Sequence, residues 1–386
     1  MEYLSLHTKV RRLGYLKLLV KQYFHNDYWS YHSLSKYFER IASDGQIQKE
    51  LDDYNSFYSK DKKGVIENLG TGVSAEPYIR LAEDLSLIAR SNYSYILTKT
   101  GKIYKVILER YEKESSKFKF IEEQRVTKQL DIFGLNMHSN LFALNPLDKF
   151  FFLRLLIEKD LIYLYSLLNI IRKSEKIYLR RHEIKYGHIK ENLLSEVLLK
   201  IQSFETSPKV THTTRINAIE LKKKIAKKNL KMRSYESIVE PRINWLLDLD
   251  LIDGLKLRNG ILTLTHAGDV LLDATTNIFD INLFLENDFL GVFNSLYDLN
   301  AKYKADQQNR IKKYLDYAFI NFKTLAPNRI SASQAITYIS LMCFLREGFI
   351  LEYKDVKSYI FAIDGKGYTI DWFPSENDGS IKKINE

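Results

Sequence analysis

Residues 76–88 read EPYIRLAEDLSLI and residues 240–252 read EPRINWLLDLDLI. In register, Glu76, Pro77, Ile79, Asp84, Leu85, Leu87 and Ile88 coincide with Glu240, Pro241, Ile243, Asp248, Leu249, Leu251 and Ile252. A second shared signature follows each, Leu97-Thr98-Lys99-Thr100-Gly101 and Leu264-Thr265-His266-Ala267-Gly268, after an interval three residues longer in the second copy. Such self-similarity takes precedence over any other pattern, because each copy is one supersecondary unit. Each reads as helix, two-stranded hairpin, helix. In the first, Ile79, Leu81, Ala82 and Leu85 recur at helical spacing. Leu87 to Leu97 then alternates around a polar Ser91-Asn92 tip. Thr98 stands where an N-cap belongs, ahead of a helix with Ile103, Val106 and Ile107 on one face. In the second, the tip is Arg258-Asn259-Gly260, a turn signal, and Thr265 precedes a helix carrying Val270, Leu271 and Leu272.

Helix, hairpin wing and closing helix form the back half of a winged-helix domain. For the front half the first copy offers Val10 to Phe24 and Leu34 to Ala42. The second offers Pro146 to Ile157, Leu161 to Arg172 and Ile216 to Leu230, with Ser234 to Asp248 as its recognition helix. A third, weaker copy has a helix Ser331 to Leu345, then strands Leu351 to Tyr353, Tyr359 to Ile363 and Tyr368 to Trp372. It lacks the Leu-Thr-x-x-Gly signature, and residues 375–386 read as a frayed tail. The expected fold is mainly α with small β-hairpins: three tandem winged-helix or winged-helix-like units at 1–112, 133–275 and 276–386, with a charged connector at 113–132.

A chain of 386 residues suits two to three domains. With 45% hydrophobic and 27% charged residues it can bury sizeable cores, which excludes disorder as its main character. The one cysteine, Cys343, excludes a disulfide framework and a Cys-rich zinc site. The start, MEYLSLHTKVRRLG, has no apolar h-region. The longest apolar stretch, Leu161 to Ile171, falls far short of the roughly 20 residues of a membrane span. A cytoplasmic location without a membrane partner is expected. The 58 Lys and Arg against 48 Asp and Glu leave a net +10. A basic surplus attracts polyanions, nucleic acid first. The Lys-, Ile-, Asn- and Tyr-rich composition of AT-rich coding, here with 26 Tyr, gives the same surplus, so charge counts only where it clusters.

It clusters in the second copy. Lys222, Lys223, Lys224, Lys227, Lys228, Lys231 and Arg233 occupy twelve residues without an acid and lead into the recognition helix. Arg242 lies on that helix, where an arginine reads guanine in the major groove, and Lys256 and Arg258 lie on its wing. A solvated lysine face is the plain alternative for the run. The first copy has Arg80 on its helix, Arg90 and Lys99 at its wing, and Gly70-Thr71-Gly72 ahead of a helix N-terminus, where backbone N–H groups can approach phosphate. Arg242 aligns with Tyr78, and a swap of that kind suits a contact surface.

The catalytic scan finds no Walker A run, no Gly-x-Gly-x-x-Gly and no His-Glu-x-x-His. Three Glu-x-Lys runs, at Glu183/Lys185, Glu220/Lys222 and Glu352/Lys354, are about the number chance supplies. Only Asp160 with Glu183 and Lys185 stays as a candidate for metal-dependent phosphodiester cleavage. Cys343, among Leu341, Met342, Phe344 and Leu345, reads as core. No metal site and no cofactor are expected.

Further residues carry a family resemblance. They are Ile47-Gln48-Lys49-Glu50-Leu51 with Gly70-Thr71-Gly72-x-Ser74, Asn145-Pro146-Leu147 opening an apolar helix, and Arg242-Ile243-x-Trp245-Leu246-x-x-Leu249-x-Leu251-Ile252. Together the two repeats resemble the DNA-recognition half of type IIS restriction endonucleases of the FokI kind. Such proteins read DNA with two winged-helix subdomains and use a third to hold a nuclease domain. That cleavage domain has no counterpart in these residues, so the resemblance implies reading DNA for a partner that acts. The expected function is sequence-specific duplex-DNA binding, without catalysis, as the recognition component of a restriction or phage-defence system. Its partners would be double-stranded DNA and a separate nuclease or effector. Two alternatives stay open: a metal-dependent nuclease with a diverged site, and a protein-interaction scaffold of winged helices. The third unit suits protein contact best.

Overall fold

Both repeated segments fold as helices that end in the same way. A computed structural model describes residues 10, 12–50, 75–118, 141–174, 177–178, 187–227, 236–258, 261–304, 307–322, 328–374 and 378–384, and these are mainly helical with small strand pairs. The first elements are α1 (Gly14–Gln22), β1 (Tyr28–Ser30), α2 (Tyr31–Ser43), α3 (Glu76–Asp84), β2 (Ile88–Ser91) and β3 (Ser94–Leu97). Ser30 caps α2 by accepting the Ser33 N–H at 3.1 Å. Pro77 occupies the first turn of α3, where a missing N–H costs nothing. The strands form one antiparallel sheet in the order β1-β3-β2, with Trp29, Tyr95 and Arg90 in register across it. Tyr15, Leu19, Phe38, Ile79, Ala82 and Leu97 are buried.

The next elements are α4 (Lys99–Lys113), α5 (Pro146–Lys173), β4 (Ile177–Tyr178), α6 (Gly187–Thr206), α7 (His212–Lys227), α8 (Glu236–Asp248), α9 (Gly254–Arg258), β5 (Ile261–Leu262) and α10 (His266–Thr276). Asn145 and Asp148 close a capping box at the start of α5. The two helices expected over this stretch are one run broken at Asp160, whose φ of −134° leaves the helical region. The repeat is visible in the hydrogen bonds. Ser86 (φ 57°) and Asp250 (φ 53°) hold the same register position, and both are left-handed. Beside them the Leu87 N–H donates to the Ala82 carbonyl at 2.9 Å and the Leu251 N–H to the Leu246 carbonyl at 2.8 Å. Thr98 and Thr265 each accept the N–H of the glycine three residues on, Gly101 and Gly268, at 3.1 Å. A Cβ on Gly268 would lie 2.1 Å from the Leu251 carbonyl oxygen, so only glycine lets α10 approach the end of α8.

The second hairpin differs from expectation. Among the described residues its strands meet at the isolated Ile252–Leu264 bridge, and β5 pairs instead with β4, placing Ile177 opposite Leu262. Where the first wing strand was expected, Asp253 accepts the Lys256 N–H at 3.0 Å and starts the short helix α9. Asn259 and Gly260 lie outside the described residues.

The chain divides into two compact units, Met1–Leu97 with Arg125–Asn282 and Thr98–Gln124 with Leu283–Glu386. This corrects the boundaries 1–112 and 133–275. The first two repeats share one core: the Trp245 indole N–H donates to the Val10 carbonyl at 3.0 Å, and Asp248 takes both Arg12 and the Leu13 N–H, at 2.8 and 2.9 Å. Lys17 reaches Asp148 at 2.9 Å. Helix α4, expected to close the first unit, belongs to the second, where it packs on the helix Ala332–Glu347. Of the connector at 113–132, residues 119–132 lie outside the described residues.

The second unit continues with α11 (Phe289–Leu296), β6 (Lys302–Tyr303), α12 (Gln308–Phe322), β7 (Arg329–Ser331), α13 (Ala332–Glu347), β8 (Phe349–Ile350), α14 (Tyr353–Ala362), β9 (Tyr368–Phe373) and β10 (Asp378–Lys383). Strands β7-β10-β9 form an antiparallel sheet, and β6 and β8 a parallel pair. The strands expected at Leu351 to Tyr353 and Tyr359 to Ile363 are replaced by α14, because Tyr353, Val356 and Ile360 bury one helical face. The supposed tail contains β10, pinned by fully buried Ile381.

Candidate nucleic-acid interface

Helix α3 and the β2–β3 hairpin enclose an open groove of about 530 Å³ in the first unit. Glu76, Ile79, Arg80 and Glu83 reach it from one face of the helix, since positions three, four and seven apart lie over one another. Arg90 on β2, Tyr93 at the hairpin tip, Tyr95 on β3 and Tyr31 at the start of α2 complete the lining. Tyr93 is 90% exposed. The sequence-predicted Arg80 and Arg90 therefore meet at one place. Among the described residues neither side chain forms a hydrogen bond or an ion pair, and neither does that of Glu83. Their charges act on one another across the groove without a direct bond.

Burial pushes the Glu83 carboxyl up, helped by Asp84 and opposed by Arg90 and Arg80. Burial also raises the Tyr31 hydroxyl, with Glu76 adding to it, and the Tyr95 hydroxyl, with Glu83 adding to it. Both hydroxyls therefore stay protonated at neutral pH and can donate as well as accept. The sequence reading missed Glu76, Glu83 and the three tyrosines. One signal was available. Glu76, Arg80 and Glu83 recur on one face of a helix whose apolar residues already have another.

Other predicted cations are distributed differently. Lys99 is exposed but paired with Asp378. Lys222 is held by Glu205 at 2.8 Å, and Lys256 lies 3.9 Å from Asp253. Lys223, Lys224 and Lys227 are exposed on α7. Lys228, Lys231 and Arg233 lie outside the described residues, as does the side chain of Arg258, which ends α9. None of the described lysines among them lines the groove.

Arg242 does not sit at the surface. It is 2% exposed, and its Nε and Nη2 donate to the two carboxylate oxygens of Asp160 at 2.7 and 2.8 Å, while Nη1 donates to the Ile238 carbonyl at 3.1 Å. The guanidinium also lies over the Tyr163 and Trp245 rings, at 4.7 and 5.5 Å. Burial disfavours its charge, yet the Asp160 carboxylate outweighs that and holds the guanidinium above its ordinary value. A guanidinium so engaged has no fork to offer a guanine, so the expected base contact is withdrawn. The aligned Tyr78 is also buried, 4.6 Å from Tyr15 ring to ring, so this register position faces inward in both copies. Asp160 likewise leaves the catalytic candidates, because both its oxygens are occupied. Glu183 and Lys185 lie outside the described residues.

In the second unit, Phe361 and Phe373 are exposed on α14 and β9, beside Trp372, over which Lys357 lies at 4.1 Å. Cys343 is buried, and burial pushes its thiol up to about 12. Among the described residues no three His, Cys, Asp or Glu side chains gather as a metal site, and no helix is long and apolar enough to cross a membrane. No protein-family model, curated protein or solved structure matches this chain.

Proposed function

We propose that this chain binds duplex DNA through winged-helix modules and acts as the recognition component of a restriction or phage-defence system. The observation that carries this reading is the pair Arg80 and Arg90, which among the described residues form no hydrogen bond or ion pair, at the junction of a helix and a wing. The order of elements supports it. Helix α1, β1 and α2, then, beyond a further helical stretch at 45–50 and residues 51–74 outside the described ones, α3, β2 and β3, with sheet order β1-β3-β2, are in keeping with a winged helix, in which the helix before the wing faces the DNA. The second unit has a similar order, α12, β7, α13, α14, β9 and β10 around a β7-β10-β9 sheet, with the short β8 inserted between α13 and α14. Exposed Lys223, Lys224 and Lys227 supply a phosphate track on α7. The aromatic wing of the second unit suits docking of a nuclease or effector, because exposed aromatics anchor protein interfaces.

Affinity for a perfect duplex measured between about 50 and 200 mM salt tests the reading. Replacing Lys223, Lys224 and Lys227 with Gln should lower the log–log slope by roughly 1 for each phosphate that is no longer neutralised. The Arg80→Gln, Arg90→Gln double variant should weaken binding further. Absence of salt-dependent binding in the unaltered chain would refute the proposal.

A further inference from the structure

We propose that the groove between α3 and its wing receives one unpaired guanine of a DNA strand. This deepens the DNA-binding reading and rests on it. A phosphate-only surface would carry cations and no carboxylates, since carboxylates repel the backbone. This groove carries Glu76 and Glu83 beside Arg80 and Arg90, with Tyr31, Tyr93 and Tyr95 around them. It requires a ligand with a flat face, a pair of acceptors and a pair of donors.

Guanine meets that requirement. Its O6 and N7 accept from a guanidinium fork. Its N1–H and N2–H groups donate side by side to one carboxylate. Adenine and cytosine present a ring-nitrogen acceptor at that edge, which a carboxylate repels, and thymine presents a single N–H between two carbonyls. Exposed Tyr31 and Tyr93 supply stacking faces, which every base accepts and which therefore add affinity without selectivity. One guanidinium serves the base, and the other is left for its phosphate. The volume of about 530 Å³ lies well inside the range of about 300–1,000 Å³ typical of small-molecule sites. In a duplex the N1 and N2 groups are occupied by cytosine, so the guanine must be unstacked and unpaired to reach Glu83. Tyr93, an aromatic ring 90% exposed at a hairpin tip, is placed to cover an extruded base.

The test measures binding of the full chain to duplexes with one bulged guanine, adenine, cytosine or thymine, and to the perfect duplex. The bulged guanine should bind about tenfold tighter than the bulged adenine. Glu83→Gln turns one acceptor oxygen into a donor and should bring the two within about twofold. Tyr93→Ala should weaken every bulge alike and leave the guanine-to-adenine ratio unchanged. Deoxyguanosine monophosphate should fail to displace the bulged duplex at equal concentration. Equal binding of the guanine and adenine bulges, or a Glu83→Gln chain that keeps its preference, overturns the proposal. Displacement by the free nucleotide overturns the assignment to a strand. The perfect duplex is scored separately: its failure to bind with guanine selectivity intact refutes the duplex reading and leaves the groove assignment standing.

Discussion

Arg242→Ala tests whether this residue holds the fold or reads DNA. The side chains of Arg242 and Asp160 are 2% and 4% exposed. Removing the arginine leaves a buried carboxylate without its counterion, which costs about 3–5 kcal/mol. The Ile238 carbonyl loses a donor, and the Tyr163 and Trp245 rings lose a cation above them. Urea unfolding followed by tryptophan fluorescence reads the loss. A double variant, Asp160→Leu with Arg242→Met, removes both charges and restores apolar packing. It should recover at least about 2 kcal/mol relative to Arg242→Ala, as coupled partners do. Selection from a random duplex library should return the same motif, or the same lack of one, from folded Arg242→Ala as from the unaltered chain. A loss below about 1 kcal/mol together with a changed motif would refute the buried-pair reasoning and restore Arg242 as a reader of bases.

Lys200 is buried, with its Nζ 3.2 and 3.0 Å from the Thr275 and Thr276 carbonyls, and burial lowers it from 10.5 to about 8. Between those values the unfolded chain binds the extra proton, so this residue's contribution to stability rises with pH across the window; the stability difference between the unaltered chain and Lys200→Met should climb accordingly, and a flat difference would count against it. Asp378 accepts from Lys99, Ser331, and the Ser333 and Gly379 N–H groups, and burial, which raises it, is outweighed by these donors to leave it at about 2. Its contribution is present above 3.8 and is lost as pH falls toward 2; Asp378→Asn should cost about 1 kcal/mol at neutral pH, after allowance for screening, and should flatten acid unfolding between those values. Gly268→Ala should destabilise the first unit by about 1–3 kcal/mol in chemical unfolding, because the new Cβ meets a backbone oxygen.

The repeat was legible because it is local. A capping threonine, a helix and an apolar pair after it follow from neighbours in sequence, and Ser86 and Asp250 confirm the register in their backbone. What escaped was long-range. Arg242 looks exposed on its own helix, and its partner Asp160 enters from a break in α5 that no periodicity marks. Helix α4 shows an apolar face of Ile103, Tyr104, Ile107 and Leu108, but a face does not say which helix covers it. Strand β10 reads as a tail in sequence because Asp378-Gly379-Ser380-Ile381-Lys382-Lys383 has one apolar residue, and that residue suffices when the neighbouring strands already exist. Of the candidate site, Arg80 and Arg90 were found by charge. The tyrosines were not, since in a chain with 26 of them none stands out until the groove gathers three.

The division of the chain has a consequence for its synthesis. Helix α4 leaves the ribosome early, yet α13, on which it packs, is made more than two hundred residues later. At about 5–20 residues per second that interval lasts roughly ten seconds to most of a minute. Throughout it, Ile103, Tyr104, Ile107 and Leu108 have no permanent cover, while the chain between completes the first unit. The nascent protein thus carries a sticky helix while the first unit is being completed, a natural handhold for a chaperone. A product truncated after Asn282 would keep that handhold permanently, so a fragment cut at the apparent boundary should aggregate even though every residue of the first unit is present.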